Sequence, residues 1–333
     1  MGPGWLLAGY VATVGRTMPR TQQPAEAAPL EGFIPLSEEW GDARISRIDA
    51  RRILRCSEEE LDHLCERGLP SCHRESAQTF GECDVMNAAL ARGNGRSIPE
   101  LARLRTLRFV GGEPADWLAE KAWTVIVTAE CSCGSDAGEW RAATPRPDIV
   151  GGAVESVTTA RTPGRHETKI ALRTKGRRGH AADPAIASTV QNILDEFDSG
   201  TLRFHYLPAA LRINAPAASS AGVIDCVALT LHLAEQLEVS GISVQTRRGH
   251  LLSAIGVEHA WLELGEGAGR VAVDPMLIAL CGSLPGANPA FADFCLGSIS
   301  NRVLPWDRSA DEAVCGHGCS GGAIRLAVSA RTA

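Results

Sequence analysis

Residues 222–241 read GVIDCVALTLHLAEQLEVSG, and residues 257–275 read VEHAWLELGEGAGRVAVDP. In the first stretch Ala228, Leu229, Leu231, Leu233, Ala234 and Leu237 recur at helical spacing between two glycines, which predicts a largely buried helix. Asp225 stands at its N-cap position, so Cys226 opens the first turn. A thiol there feels the positive end of the helix dipole, which favours the nucleophilic thiolate. The second stretch predicts a β-hairpin about a Gly-rich turn, entered from a strand in GISVQTRRG at 241–249. Pairing Leu264 with Gly269 across a loop at 265–268 sets Glu263 opposite Arg270, Leu262 opposite Val271 and Ala260 opposite Val273. The same register sets His259 directly opposite Asp274, with Cβ atoms about 4.5–5.5 Å apart. A slip by one residue would break all four pairings. His259 can then deprotonate the Cys226 thiol, and Asp274 can fix the imidazole tautomer and stabilise imidazolium.

Each residue alone has a plainer reading. A cysteine opening a buried helix is usually a small core residue, and a histidine beside an aspartate is usually structural. A helix-start cysteine followed by a hairpin that aligns His with Asp is far more specific, and it predicts a catalytic triad of Cys226, His259 and Asp274.

In order and spacing, Asp225-Cys226, His259-Ala260-Trp261 and Asp274-Pro275 resemble the core of the transglutaminase-like superfamily. Its pattern is a cysteine opening a helix, a later His-Ala-Trp on a strand, and an Asp-Pro ending the next strand. The resemblance covers about residues 200–276. It implies a papain-like arrangement in which the Cys helix packs on an antiparallel sheet carrying His and Asp. It also implies chemistry through an acyl-enzyme thioester, used in that superfamily for crosslinking, peptide cleavage and amide formation. The oxyanion that precedes the thioester would be held by the backbone N–H of Cys226 and one further donor. Asn214 and Ser220 lie upstream at suitable range. Trp261 is a candidate wall of the substrate tunnel, or an aromatic simply packed on its sheet.

Outward from this core the chain divides. Residues 1–36, rich in Pro, Ala, Gly and Gln, read as a flexible arm. Residues 37–115 read as a helical domain: Ser46 caps a helix with Ile48, Ile53 and Leu54, and Ser57 with Glu60 forms a capping box. A third helix carries Val85, Met86, Ala89 and Leu90 and stops at Gly93, and Ser97 with Glu100 opens a fourth. The segment 45–70, ending in RGLP, weakly resembles the helix-turn-helix of excisionase-type and MerR-type regulators. From 116 to 333 the character changes. WTVIVTA at 123–129 predicts a strand, CSCGSDAGEW at 131–140 a turn into another, and 149–159 and 168–173 two more. Asp183 and Pro184 start a helix through Ile193, Leu194 and Phe197. After Pro275 loops and short helices are expected. The fold class is thus α+β, an N-terminal helical domain followed by a transglutaminase-like, papain-like domain.

Net charge is −6 over 333 residues, which argues against nucleic acid as the partner. A helix-turn-helix regulator with a non-catalytic sensor domain is therefore the weaker alternative. No run of about eighteen apolar residues suggests a membrane span. The apolar run 5–14 lacks a preceding Lys or Arg, so it does not read as a signal peptide, and Met18 is an alternative start. Eleven scattered cysteines in a chain of this size fit unbridged thiols in a reducing cytoplasm. Neither Cys131 with Cys133 nor Cys315, His317 and Cys319 has paired zinc-ligand spacing, so no metal and no cofactor is expected. GCSGG at 318–322 matches a nucleophile elbow literally, but no histidine follows Ser320 to complete it. The basic stretch 161–178 sets seven Arg and Lys residues against Glu167 alone. It reads as a solvated loop, or as a dock for an acidic partner such as a carrier protein bearing a thioester. The expected function is cysteine-dependent acyl transfer, forming an amide from an acyl donor (a carrier-protein thioester or a peptide) and an amine. A peptidase or amidase that passes the same intermediate to water is the alternative.

Overall fold

Ser46 accepts a hydrogen bond from the Asp49 N–H and so opens the helix Arg47–Leu54. Ser57 and Glu60 form a reciprocal capping box at the start of Glu58–Glu66. Gly93, in the left-handed region at φ 58°, ends the helix Glu82–Arg92. These local signals act as the sequence predicts. In the computed structural model the described residues are 30–74, 77–134, 138–265, 270–319 and 324–333. Most of the N-terminal arm, Met18, residues 266–268 of the predicted hairpin loop with Gly269, its predicted pairing residue, and Ser320 of the elbow-like motif lie outside them.

The chain packs as two units. The first holds the described part of 1–105 together with 203–225, and the second holds 106–202 and 226–333. The first unit is not purely helical. Strands Arg44–Ser46, Ala77–Gly81 and Ser71–Arg74 form a three-stranded antiparallel sheet, in that order. They are short and polar and carry no clear alternation, which is why a search for hydrophobic periodicity passes over them. Residues 203–225 join this unit through paired hydrogen bonds: the Asn87 amide donates to the Tyr206 carbonyl at 3.0 Å and accepts from its N–H at 2.7 Å. The described end of the arm is tied down here too. The Leu36 N–H donates to Asp84 Oδ1 at 2.9 Å and the Ile34 N–H to His205 Nε2 at 3.2 Å. Burial pushes the His205 imidazole down to about 4, so the ring is neutral and able to accept.

The second unit contains two larger antiparallel sheets. One has five strands in the order Leu296–Gly297, Val271–Val273, Val257–Leu264, Gln245–Leu251, Val303–Pro305. The other has four, in the order Ile324–Thr332, Lys121–Cys131, Arg165–Thr174, Ala153–Thr162. Trp123, Val125, Ile170, Leu172, Leu252, Leu304, Trp306 and Val328 form one buried cluster that joins both sheets. Burying a side chain of that size stabilises by roughly 1.5–3 kcal/mol. The helix Cys226–Val239 packs on the five-stranded sheet and against the helices Pro184–Asp198 and Pro275–Cys281. The chain is therefore α+β with several antiparallel sheets. No helix among the described residues is long and apolar enough to cross a membrane.

Three readings change. The basic stretch 161–178 is not a loop: it turns at Gly164 and continues as the strand Arg165–Thr174. Its arginines meet more than Glu167, since Arg165 also pairs with Glu130 at 3.3 Å, and Arg173 with Glu155 at 2.6 Å and Glu120 at 3.1 Å. The tail is not only loops and short helices, because it ends in the nine-residue strand Ile324–Thr332. And Cys131 and Cys133, set apart from His317 and Cys319 by spacing in the chain, come together with them in space.

Candidate active site

The helix Cys226–Val239 begins at Cys226, which is 7% exposed. Its thiol donates to the backbone carbonyl of Glu258 at 3.6 Å, so the sulfur lies against the strand next to His259. Val227, Ala228, Leu229, Leu233 and Leu237 of the same helix are buried and seat it against the sheet.

His259 Nε2 meets Asp274 Oδ2 at 2.5 Å, and both residues are buried. They reach each other by a different route from the one predicted. The hairpin pairs Leu262 with Val273, Glu263 with Ala272 and Leu264 with Val271, a shift of two residues from the predicted register. The strand ends at Val273, and Asp274 is the N-cap of the helix Pro275–Cys281. A shift of two keeps every side chain on its face but turns direct pairs into diagonal ones. Diagonal neighbours, about 7–8 Å apart at Cα, lie within reach of long side chains. The Glu263–Arg270 pair survives in the same way, at 3.0 Å.

Asp274 is divided between two partners. Oδ2 takes the imidazole, while Oδ1 accepts the Leu277 N–H at 3.0 Å and caps the helix. With Nε2 committed to Asp274, Nδ1 is the nitrogen available to the thiol, and the Cys226 sulfur is a hydrogen-bonding neighbour of the same ring. Burial pushes the His259 pKa down, but the charge and hydrogen bond of Asp274, with a smaller contribution from Cys226, outweigh it and hold the imidazole well above its ordinary value. The arrangement can therefore carry imidazolium beside a sulfur anion.

The strand beneath the imidazole is anchored on both sides. Glu263 holds Arg247 at 2.8 Å, and Glu258 holds Arg248 at 2.7 Å. Arg248 also donates to the Ala310 carbonyl at 2.6 Å. Gly249 pairs directly with His259, and a Cβ there would lie 2.7 Å from the Trp261 ring and 2.5 Å from the Leu304 carbonyl. Trp261 is 1% exposed and stacks on His259, with ring centroids 6.3 Å apart. Asn214 uses its side-chain oxygen to cap the helix Ala215–Ser220, which Ser220 ends, and both belong to the first unit.

Sequence reasoning missed Arg247, Arg248, Gly249 and Glu258 as supports of the site. It also read Asp274-Pro275 as a strand end, although Asp followed by Pro at the first helical position is a helix-start signal.

No family model and no curated protein matches the chain. A crystal structure from Cytophaga hutchinsonii, provisionally named a cysteine protease, aligns over 64% of this chain and 91% of that one. The identity is 8% and the TM-score 0.34, too low for the likeness to carry an argument.

Proposed function

We propose that this protein is a cysteine-dependent acyltransferase of the transglutaminase-like kind, with Cys226 as nucleophile, His259 as general base and Asp274 as its orienting partner. The observation that carries the reading is the buried His259–Asp274 hydrogen bond beside a sulfur at the first turn of a helix. In the first step the Cys226 sulfur attacks an acyl carbonyl, its proton passes to His259, and the leaving group departs with that proton. The backbone N–H of Cys226, in the first helical turn where such donors have no partner within the helix, is suited to the tetrahedral oxyanion. The acyl group then rests as a thioester until an amine attacks, yielding an amide and the free thiol. Trp261, stacked on the imidazole, holds the ring plane from behind. The site residues are each under a tenth exposed, which favours a bound amine over bulk water as acceptor. Carrier-protein or peptide thioesters are the donors that we propose, and hydrolysis of the same intermediate is the competing outcome.

The test is intact-mass spectrometry of the purified protein offered simple acyl thioesters, with and without a primary amine. One acyl group should add at Cys226, and the amine should remove it as an amide. Equal acylation of Cys226→Ala would refute the reading, and release at the same rate without amine would make the protein a hydrolase.

A further inference from the structure

From the side chains of Cys131, Cys133, His317 and Cys319 we infer a structural zinc site, distinct from the Cys226 triad and sharing no residue with it. The four ligand atoms all lie within 4.8 Å of one another. Cys131 Sγ and Cys319 Sγ are 3.3 Å apart, and Cys133 Sγ and His317 Nδ1 are 3.5 Å apart. For tetrahedral zinc with bonds of about 2.3 Å to sulfur and 2.0–2.1 Å to nitrogen, ligand atoms lie roughly 3.5–3.8 Å from each other. These two separations match that geometry to within about half an ångström, and the remaining pairs, none wider than 4.8 Å, would draw in to close on an ion. Three sulfurs and one imidazole are a donor set that selects zinc over the oxygen-seeking cations.

A second observation comes from the other face of the imidazole. His317 Nε2 donates to the Gly138 carbonyl at 3.0 Å, which places the ring proton on Nε2 and turns the Nδ1 lone pair toward the sulfurs. A zinc-bound histidine is typically held in this way by a backbone carbonyl. Gly138 is shaped for the contact, since a Cβ there would sit 2.6 Å from the His317 ring. Trp140 covers another side of that ring, with centroids 4.5 Å apart. Cys131 also belongs to a small buried cluster with Ala129, Trp140 and Cys315, against which Cys319 packs, but apolar packing by itself calls for no common focus of three thiols and an imidazole.

The chain topology explains why spacing hid the site. Cys131 ends the strand Lys121–Cys131 and Cys133 follows in the turn, a short C-x-C. His317 ends the strand Cys315–His317, which pairs with Trp140–Ala142, and Cys319 follows two residues later. Two close pairs, H-x-C and C-x-C, are supplied by segments 184 residues apart in the chain. All four positions of the ion are filled by the protein, so the site has no open coordination and serves the fold rather than chemistry. It would clip the turn after one central strand to the segment that leads into the C-terminal strand Ile324–Thr332. On binding, Zn²⁺ displaces three thiol protons and leaves a complex of three thiolates and one neutral imidazole.

Metal analysis of wild-type protein, reconstituted with zinc under reducing conditions and desalted, should give one equivalent per chain. Cys133→Ser and His317→Ala should lower it at least tenfold, whereas Cys226→Ala and Cys72→Ser should retain it. Cobalt-substituted wild type should show a thiolate-to-metal charge-transfer band and the strong visible bands of tetrahedral cobalt, a readout that needs no variant to fold. Under a tenth of an equivalent in the wild type, unchanged zinc in both ligand variants, or octahedral cobalt spectra would each overturn the inference. So would a Cys131–Cys319 disulfide recovered from freshly purified protein alkylated without reductant.

Discussion

Asp274 works through two oxygens on two partners, and substitution can separate them. Asn at this position still offers an oxygen to the Leu277 N–H, and Asn is among the best N-cap residues. Its amide, however, donates toward His259 Nε2, which forces the ring proton onto Nδ1, the nitrogen facing the thiol. Asp274→Asn should therefore cut the acylation rate by about 10²–10⁴ while the thermal midpoint moves by only a few degrees. Asp274→Ala should lose the cap as well, about 1 kcal/mol, and leave a buried imidazole unpaired. Equal rates for Asp274→Asn and wild type would remove Asp274 from the mechanism. The same pair sets a pH dependence. The His259 pKa is raised above the ordinary 6.5, to about 10, despite burial, so folding favours the proton. That contribution to stability is complete below about pH 6.5 and is lost as pH rises through the raised value. Urea unfolding across the alkaline range should show wild-type stability falling, and Asp274→Asn should be flatter over the same window.

At the scale of elements, the strand Gln245–Leu251 holds the imidazole in place by leaving a gap. Gly249→Ala puts a methyl group against the Trp261 ring and the Leu304 carbonyl, so the sheet must shift. We expect a loss of roughly 1–3 kcal/mol by urea titration. Acylation should also weaken, because Trp261 stacks on His259. The helix pair of the first unit invites a different test. Arg47 meets Glu58 at 3.1 Å and Asp62 at 2.6 Å, and Arg51 meets Glu58 at 2.6 Å. The arginines a DNA reader would turn to phosphate are thus facing the acidic first turns of the next helix, whose carboxylates repel a phosphate backbone. We predict no nanomolar binding of duplex DNA at physiological salt by fluorescence anisotropy. Tight binding that Arg47→Ala and Arg51→Ala abolish would restore the regulator reading.

For the molecule as a whole, the C-terminal strand matters more than its position suggests. Ile324–Thr332 pairs residue for residue with Trp123–Cys131, and its Val328 and Ala330 belong to the core that joins the two larger sheets. Val328 also bridges to Gly256, one residue before the His259 strand. Removing residues 324–333 would leave the central strand Lys121–Cys131 with an unpaired edge and would expose apolar core. The truncated chain should melt without a cooperative transition, measured by circular dichroism. A sharp melt within a few degrees of the full chain would show that this strand is dispensable.

What could be read in the sequence alone was local. Ser46, Ser57 with Glu60, Gly93 and Asp183 mark helix ends because capping uses groups only a few residues apart. The Cys226 helix and the face of each hairpin residue follow from periodicity. Even the pairing of His259 with Asp274 was legible, because a register error of two preserves the face. One local signal was misread: Asp274 with Pro275 starts a helix, so the ladder stops at Val273 and Asp274 becomes a cap. Long-range assembly was not legible. The strand Ile324–Thr332, the grouping of 203–225 with the first unit, and the meeting of Cys131 and Cys133 with His317 and Cys319 join segments far apart in the chain. Such contacts are chosen by burial of the whole core, and no local pattern records which distant partner a segment will find.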